Sequence, residues 1–382
     1  MGGPVVDYTL PASAERLRQS ADTFVREALR PHEGGLPPAE GTLPPEIRRR
    51  VTERRRALGL WGLAVPTDAG GLGLGWMECA LVQERVQRSP LGLWPHGLLA
   101  AGDPPAALHA ARGDQRAAYL QPCLDGRRIA HQILVPTGPG TAPGLRAVPT
   151  PGGAVLSGAW AAVPALFTED LLLVVLEMQG RLQGFLCEPG LPGYRVSRRR
   201  PGMGTVELVD LAWEDCRLDA GRILPDAGPA ALLWRAGQQV AVLGAGAVGA
   251  AEHCLEIGLD HVRRRQTFGR PLADRQAIQW MLADSARELH AARLLLYRAA
   301  SLADRGEASA AGALAGPAKA YAAEAACRAV DRVLQMHGGY GYTRDLPIER
   351  FWRDLRFYRF AEGSDGALVA DGAAALVADL DA

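Results

Sequence analysis

Three stretches in the second half of the chain, 230–264, 275–304 and 310–336, carry apolar residues along one face at helical spacing. Helices of that length gain most of their stability by burying such a face, so three in succession predict a helical bundle over residues 225–382. The centre of the chain, 126–224, is patterned differently. Glycine and proline punctuate short apolar runs at 154–156, 171–176, 184–187 and 206–213, which predicts a β-barrel or sandwich. Residues 1–125 return to helical periodicity. Leu17, Ala21, Phe24, Val25 and Ala28 fall three and four apart, a Gly- and Pro-rich loop covers 31–45, and further helices are expected over 45–59 and 76–88. The expected plan is therefore helices, then strands, then a bundle.

At 382 residues the chain is long enough for two or three cores. Acidic and basic residues balance at 42 each, and Lys319 is the only lysine. With no net charge and no basic stripe, a nucleic-acid partner is not expected, and the arginine bias reads as GC-rich coding. The six cysteines are scattered without a Cys-x-x-Cys pair, which fits free thiols in a reducing cytoplasm rather than disulfides or a zinc site. None of the eight histidines has metal-ligand spacing, so no metal is expected. No apolar run reads as long enough to span a membrane and no signal pattern opens the chain. The expectation is a cytoplasmic protein without a membrane partner.

Four motifs carry chemistry or imitate it. Gly244-Ala-Gly246-Ala-Val-Gly249 follows an apolar lead-in and spells a dinucleotide fingerprint. The second strand and its acid, which a Rossmann unit needs, are missing, so close helix packing by small residues is the better reading. Arg265-Gln-Thr-Phe268-Gly269, with Gln276 beyond it, offers a guanidinium for a diphosphate and an aromatic cover; a solvated basic helix end reads equally well. Gln335-Met-His-Gly338-Gly339-Tyr-Gly341 is a glycine cluster able to approach a phosphate, and beside it His337 reads as a phosphate contact or a packing residue. Finally Phe360-Ala361-Glu362-Gly363 sets one carboxylate on a glycine turn with an apolar approach. That arrangement suits a general base if its site is desolvated; a surface glutamate is the plain alternative.

Taken in order, these pieces resemble the acyl-CoA dehydrogenase family of flavoproteins over nearly the whole chain. Gly59-Leu-Trp-Gly62, Pro66, Gly70-Gly-Leu-Gly-Leu74 and Glu84 to Ser89 match the N-terminal part. Arg200-Pro-Gly-Met-Gly-Thr205 matches the β-domain, and Arg265, Phe268, Gly269, Gln276, the Gln335 cluster and Arg353-Asp354 match the C-terminal part. The resemblance implies an N-terminal helical domain (1–125), a middle β-barrel (126–224) and a C-terminal four-helix bundle (225–382). It implies FAD at a subunit interface, a homotetramer or dimer, and an electron-transferring flavoprotein as acceptor. By the same resemblance Arg265, Phe268 and Gln276 would touch the neighbouring subunit's FAD, and Gln335, Gly338 and Gly339 its pyrophosphate region. Glu362 would take the proton alpha to an acyl thioester while hydride leaves the β-carbon. The family's alternative base position is Gln239, which accepts no proton.

The chain departs from the family in its centre. Val135 to Pro143 replaces a Thr-Glu-Pro and Gly-Ser-Asp segment that contacts the flavin. Ser157-Gly-Ala-Trp160-Ala-Ala162-Val-Pro164 places alanines and a proline where an aromatic residue and a hydroxyl belong. Trp160 is left as a displaced stacking candidate, Val240 replaces a usual arginine, and the small Ala361 suggests room for a bulky acyl group. Three readings stay open: a working dehydrogenase, a half-site or non-catalytic subunit completing a partner chain's FAD site, and an oxidase or monooxygenase on the same fold.

Overall fold

The structure is a computed structural model that describes residues 12–35, 44–93, 103–135, 144–165 and 170–380. The eroded segment after Val135 lies outside those residues.

Helices α1 (Ala12–Phe24), α2 (Pro45–Ala57) and α3 (Trp76–Val86) open the chain, followed by two short helical turns, α4 (Gly113–Gln115) and α5 (Gln121–Leu124). Phe24, Val25, Leu29, Val51, Leu60, Leu63, Val82 and Val86 pack into one core. The start of α3 is anchored from a distance: Asp304 accepts from the Trp76 and Met77 amides at 2.7 and 3.1 Å. That satisfies two donors a helix start leaves free.

Eight strands follow: β1 (Ala130–Leu134), β2 (Leu145–Thr150), β3 (Gly153–Pro164), β4 (Leu171–Met178), β5 (Arg181–Cys187), β6 (Tyr194–Arg200), β7 (Leu208–Asp219) and β8 (Ile223–Leu224). They form two four-stranded sheets, ordered β1-β4-β5-β8 and β2-β3-β7-β6. β1 runs parallel to β4, with Ala130 opposite Leu171, and the other pairs are antiparallel. Alternating residues of both sheets, among them Ile133, Leu156, Val174, Phe185, Leu211 and Trp213, meet in one core. All four apolar runs read from the sequence lie wholly or mostly within strands.

The C-terminal part is helical. α6 (Gly228–Gly237), a π-helical segment (Gln238–Ala245) and α7 (Gly246–Arg264) form one continuous rod. A small hairpin of β9 (Gln266–Thr267) and β10 (Arg270–Pro271) leads to α8 (Gln276–Asp304), α9 (Ala308–Met336), α10 (Ile348–Tyr358) and α11 (Asp365–Leu380). The rod Gly228–Arg264 does reach membrane-spanning length and composition, which corrects the sequence reading; most of it is buried inside the protein, as in a core helix. Its apolar surface is taken up by α3, α8 and α9.

The dinucleotide-like glycines are packing residues. A Cβ on Gly249 would lie 1.8 Å from the Glu84 carbonyl oxygen, one on Gly246 2.1 Å from the Gln87 amide, and one on Gly244 2.3 Å from Leu296. They let α3 and α8 approach the rod at backbone distance. Gly249→Ala should therefore destabilise the protein by about 1–3 kcal/mol in urea unfolding. Gly312→Ala, on α9 where a Cβ meets nothing within 4 Å, should stabilise it by about 0.5–1 kcal/mol.

Candidate functional site

The site is built where all three parts meet. A cavity of about 270 Å³ is walled by Leu63, Leu74 and Trp76 from the N-terminal part and by Ala130, His131 and Gln132 of β1. Leu233, Trp234, Ala241 and Val242 of the central rod complete the wall, and Glu362 reaches it from the turn before α11. Apolar walls with few polar groups are what a small-molecule pocket requires.

Glu362 sits in the left-handed region at φ 52, followed by Gly363 at φ 115. A non-glycine residue in that conformation costs about 1–2 kcal/mol, so the turn must be held from outside. Three donors hold it. Arg235 of α6 donates to the Glu362 carbonyl through Nε and Nη2 at 3.2 and 3.1 Å. Gln239 of the π-helical segment donates to the same oxygen at 2.8 Å. Lys319 of α9 donates to the Gly363 carbonyl at 2.9 Å. The position read as an alternative base thus supplies a hydrogen-bond donor.

Glu362 is half-buried at the edge of the cavity, and burial raises its carboxyl pKa, opposed by the positive charges of Arg235 and Lys319. Burial disfavours the carboxylate, and the nearby cations work against that effect. His131 on the cavity wall is driven the other way, to about 3 by burial, so it stays neutral at working pH. Asp103, also on the wall, is held by Arg55 at 2.7 Å and by the Ala64 amide at 3.2 Å.

Gln132 bears on the cofactor. It is 7% exposed and its Nε2 donates to the Ala231 carbonyl at 3.2 Å. That partner fixes the amide orientation, so the atom left without a partner among the described residues is Oε1. A buried acceptor on a cavity wall suits a bound molecule with an N–H or O–H donor, as the pyrimidine edge of a flavin has. β3 contributes less. The Ala162 amide is spent on Asp210 at 3.1 Å, Pro164 has no amide hydrogen, and Trp160 is half-buried against the β-core. The β1 wall therefore fits a flavin, whereas positions 162 and 164 offer it no donor.

The other residues singled out in the sequence lie elsewhere. Arg265, Gln276 and Gln335 are exposed, and Phe268 at the hairpin tip is 97% exposed. Arg275 lies over the Phe268 ring at 5.8 Å. Gly338 and Gly339 are exposed, and a Cβ on either would meet nothing within 4 Å, leaving their backbone open to approach. Arg265 and His337 line a second, shallower cavity of about 370 Å³. His337 is a packing residue: it is buried, its Nδ1 lies 2.8 Å from the Val333 carbonyl, and its ring stacks on His261 at 4.1 Å. Arg353 and Asp354 tie α10 to the β-domain. Asp354 accepts from the Thr205 amide at 2.7 Å, and Arg353 donates to the Met203 carbonyl at 3.1 Å. Ala361 is packed in the helical core and does not set the width of the cavity. Among the described residues no cluster of His, Cys, Asp or Glu could hold a metal.

Two family models match: the acyl-CoA dehydrogenase N-terminal domain over residues 11–127 and the C-terminal domain over residues 226–377. Isobutyryl-CoA dehydrogenase of Dictyostelium discoideum is 30% identical over 84% of this chain and 80% of its own length. This chain belongs to the acyl-CoA dehydrogenase family. Membership carries flavin-dependent oxidoreductase chemistry, with FAD as the family's cofactor. A putative acyl-CoA dehydrogenase from Mycobacterium smegmatis is 26% identical with a TM-score of 0.80, covering 96% of this chain and 98% of that one. The butyryl-CoA dehydrogenase of Megasphaera elsdenii, at 23% identity, shares the fold with a TM-score of 0.79 over 97% of this chain and all of that one.

Arg235 and Lys319 escaped the sequence reading. Arg235 was one arginine among many. Lys319 did leave a trace, as the only lysine, on the apolar face of a long helix.

The burial of Glu362 predicts a stability effect. Its folded pKa lies above the unfolded value, so the term favouring the fold is complete below about pH 4.5 and is lost as pH rises through the folded pKa. Glu362→Gln, which mimics the protonated acid, should therefore melt above the parent at neutral pH. The gap should close as the pH falls toward 4; calorimetry across that range checks it.

Proposed function

We propose that this chain dehydrogenates an acyl thioester between its α and β carbons, with Glu362 as the base. The supporting observation is the placement of Glu362: it borders a mostly apolar cavity, it is desolvated, and its turn is clamped by Arg235, Gln239 and Lys319. The α-proton goes to a Glu362 carboxylate oxygen, and the C–H electron pair forms the new double bond as hydride leaves the β-carbon. FAD, when bound, supplies the two-electron acceptor for that hydride. The chain's own residues confine and orient. Leu63, Leu74, Trp76 and Trp234 wall off water from the acyl group. Arg235 and Lys319 keep the carboxylate ionisable in surroundings that disfavour charge, and Gln132 offers its unpaired oxygen to a donor on the bound flavin. An electron-transferring flavoprotein is the expected acceptor, CoA or an acyl carrier protein the thioester carrier, and the cytoplasm the compartment.

A second reading is favoured by β3. With the Ala162 amide occupied and Pro164 lacking one, the chain's own flavin seat is thin. Arg265, Phe268 and Gln276 are meanwhile exposed for use by another chain. On this reading it is a half-site subunit that completes the FAD site of a partner dehydrogenase.

The visible spectrum separates the two. A chain purified alone that is yellow, and is bleached by a saturated acyl-CoA such as isobutyryl-CoA or butyryl-CoA, fits the first. One that is colourless until co-expressed with a second dehydrogenase chain fits the second. Glu362→Gln should retain flavin but lose bleaching by at least about 10³-fold in rate, within the range expected for loss of a general base. Bleaching at the parent rate in that variant would sink the assignment.

A further inference from the structure

The only lysine of the chain is fully buried, at 0% side-chain exposure, in the middle of α9. A buried ammonium is costly unless it is paired and hydrogen-bonded, and where a chain otherwise uses arginine for positive charge, this one calls for a reason. Its surroundings give one. Nζ donates to the Gly363 carbonyl at 2.9 Å and lies 3.6 Å from Asp365 Oδ1, at the start of α11. The other Asp365 oxygen is taken by Arg359, the residue that follows α10, at 2.6 Å. The remaining charges facing Lys319 are Glu362 on the turn and Arg235 on α6. One acid, Asp365, is thus shared by two cations, and the Lys319 charge also acts on Glu362, opposing the upward push that burial gives its carboxyl.

We propose that Lys319 is a positioning residue for the base: it fixes the Glu362–Gly363 turn through the Gly363 carbonyl, and its charge keeps the Glu362 carboxyl able to ionise inside the cavity. This rests on the reading of Glu362 as the base. Lysine brings a compact charge on a thin stem. Lys319 is itself pushed down to about 8, first by burial, with Asp365 and Glu362 opposing, so its charge persists through the neutral range.

The test reads the Glu362 carboxyl directly. Protein labelled with carboxyl-¹³C glutamate is titrated by NMR, and the Glu362 signal is assigned by its absence in Glu362→Gln. In Lys319→Met, the Glu362 titration should move up by about one pH unit, the scale of losing a nearby opposite charge. The acid limb of kcat/KM for the acyl-CoA that bleaches the parent should move with it. Lys319→Arg, which keeps the charge, should titrate near the parent. Asp365→Asn, which removes the shared counter-ion, should move the Glu362 titration down, and it keeps the test open if Lys319→Met fails to fold. An unmoved Glu362 signal in folded Lys319→Met overturns the proposal, as does an upward shift in Lys319→Arg equal to that in Lys319→Met, or no downward shift in Asp365→Asn. The carboxyl titration reports this coupling whether or not Glu362 is the base, and the Glu362→Gln assay reports the base whether or not Lys319 tunes it.

Discussion

The structure turns on one difficulty: a carboxylate must be held in a desolvated cavity on a turn its own backbone disfavours. Neither part is stable alone. A left-handed glutamate costs about 1–2 kcal/mol, and burying its charge costs more. The compensation comes from donors fixed to other elements, Arg235, Gln239 and Lys319, all aimed at two consecutive carbonyls. Hydrogen bonds from charged donors contribute about 1.5–3 kcal/mol each. Two such donors and an amide exceed the backbone cost, and the cations also offset part of the charge burial. The donors sit on α6, on the π-helical segment and on α9, so Glu362 is only as well placed as the packing of the bundle.

That packing explains features with no chemistry of their own. The π-helical segment, where spacing departs from the α-helix, lies beside the cavity, as such segments often lie at functional sites. Its Val242 carbonyl is satisfied by Gln87 at 2.6 Å, and Gln87 in turn accepts from Tyr358 at 2.6 Å. One buried glutamine thus links α3, the rod and α10. Glu84, one turn earlier, is held by Arg293 at 2.8 Å and Tyr297 at 3.0 Å. These ties, with the Asp304 cap on α3 and the Asp354–Thr205 link to the β-domain, hold the three walls in register around Glu362.

The fold was legible where periodicity is long. The three helical stretches of the second half appear within a few residues of their expected limits, because a long apolar face constrains local structure strongly. Gly246 and Gly249 were legible as packing residues for what their surroundings lacked. The clamp on Glu362 was not legible. Arg235 and Glu362 lie 127 positions apart, and Lys319 and Gly363 lie 44 apart; no local pattern encodes such pairs. Gln239 was legible only as a group unable to take a proton, since the use of its amide depends on where a distant carbonyl falls.

The hairpin at residues 266–271 is costly to the isolated chain. Phe268 is 97% exposed and held in the left-handed region at φ 49. Within the chain it gains little, since the Arg275 guanidinium is its one ring contact among the described residues. An exposed aromatic in a disfavoured conformation is a net cost to the isolated fold, whereas burying it against another surface would return about 1.5–3 kcal/mol. The Gly338-Gly339 backbone is likewise open, with no side chain of its own to cover it. None of these residues lines the cavity that Glu362 borders. Glu362 and the exposed hairpin are therefore separate surfaces of one chain, and whatever covers the Phe268 ring lies outside the cavity that Glu362 borders.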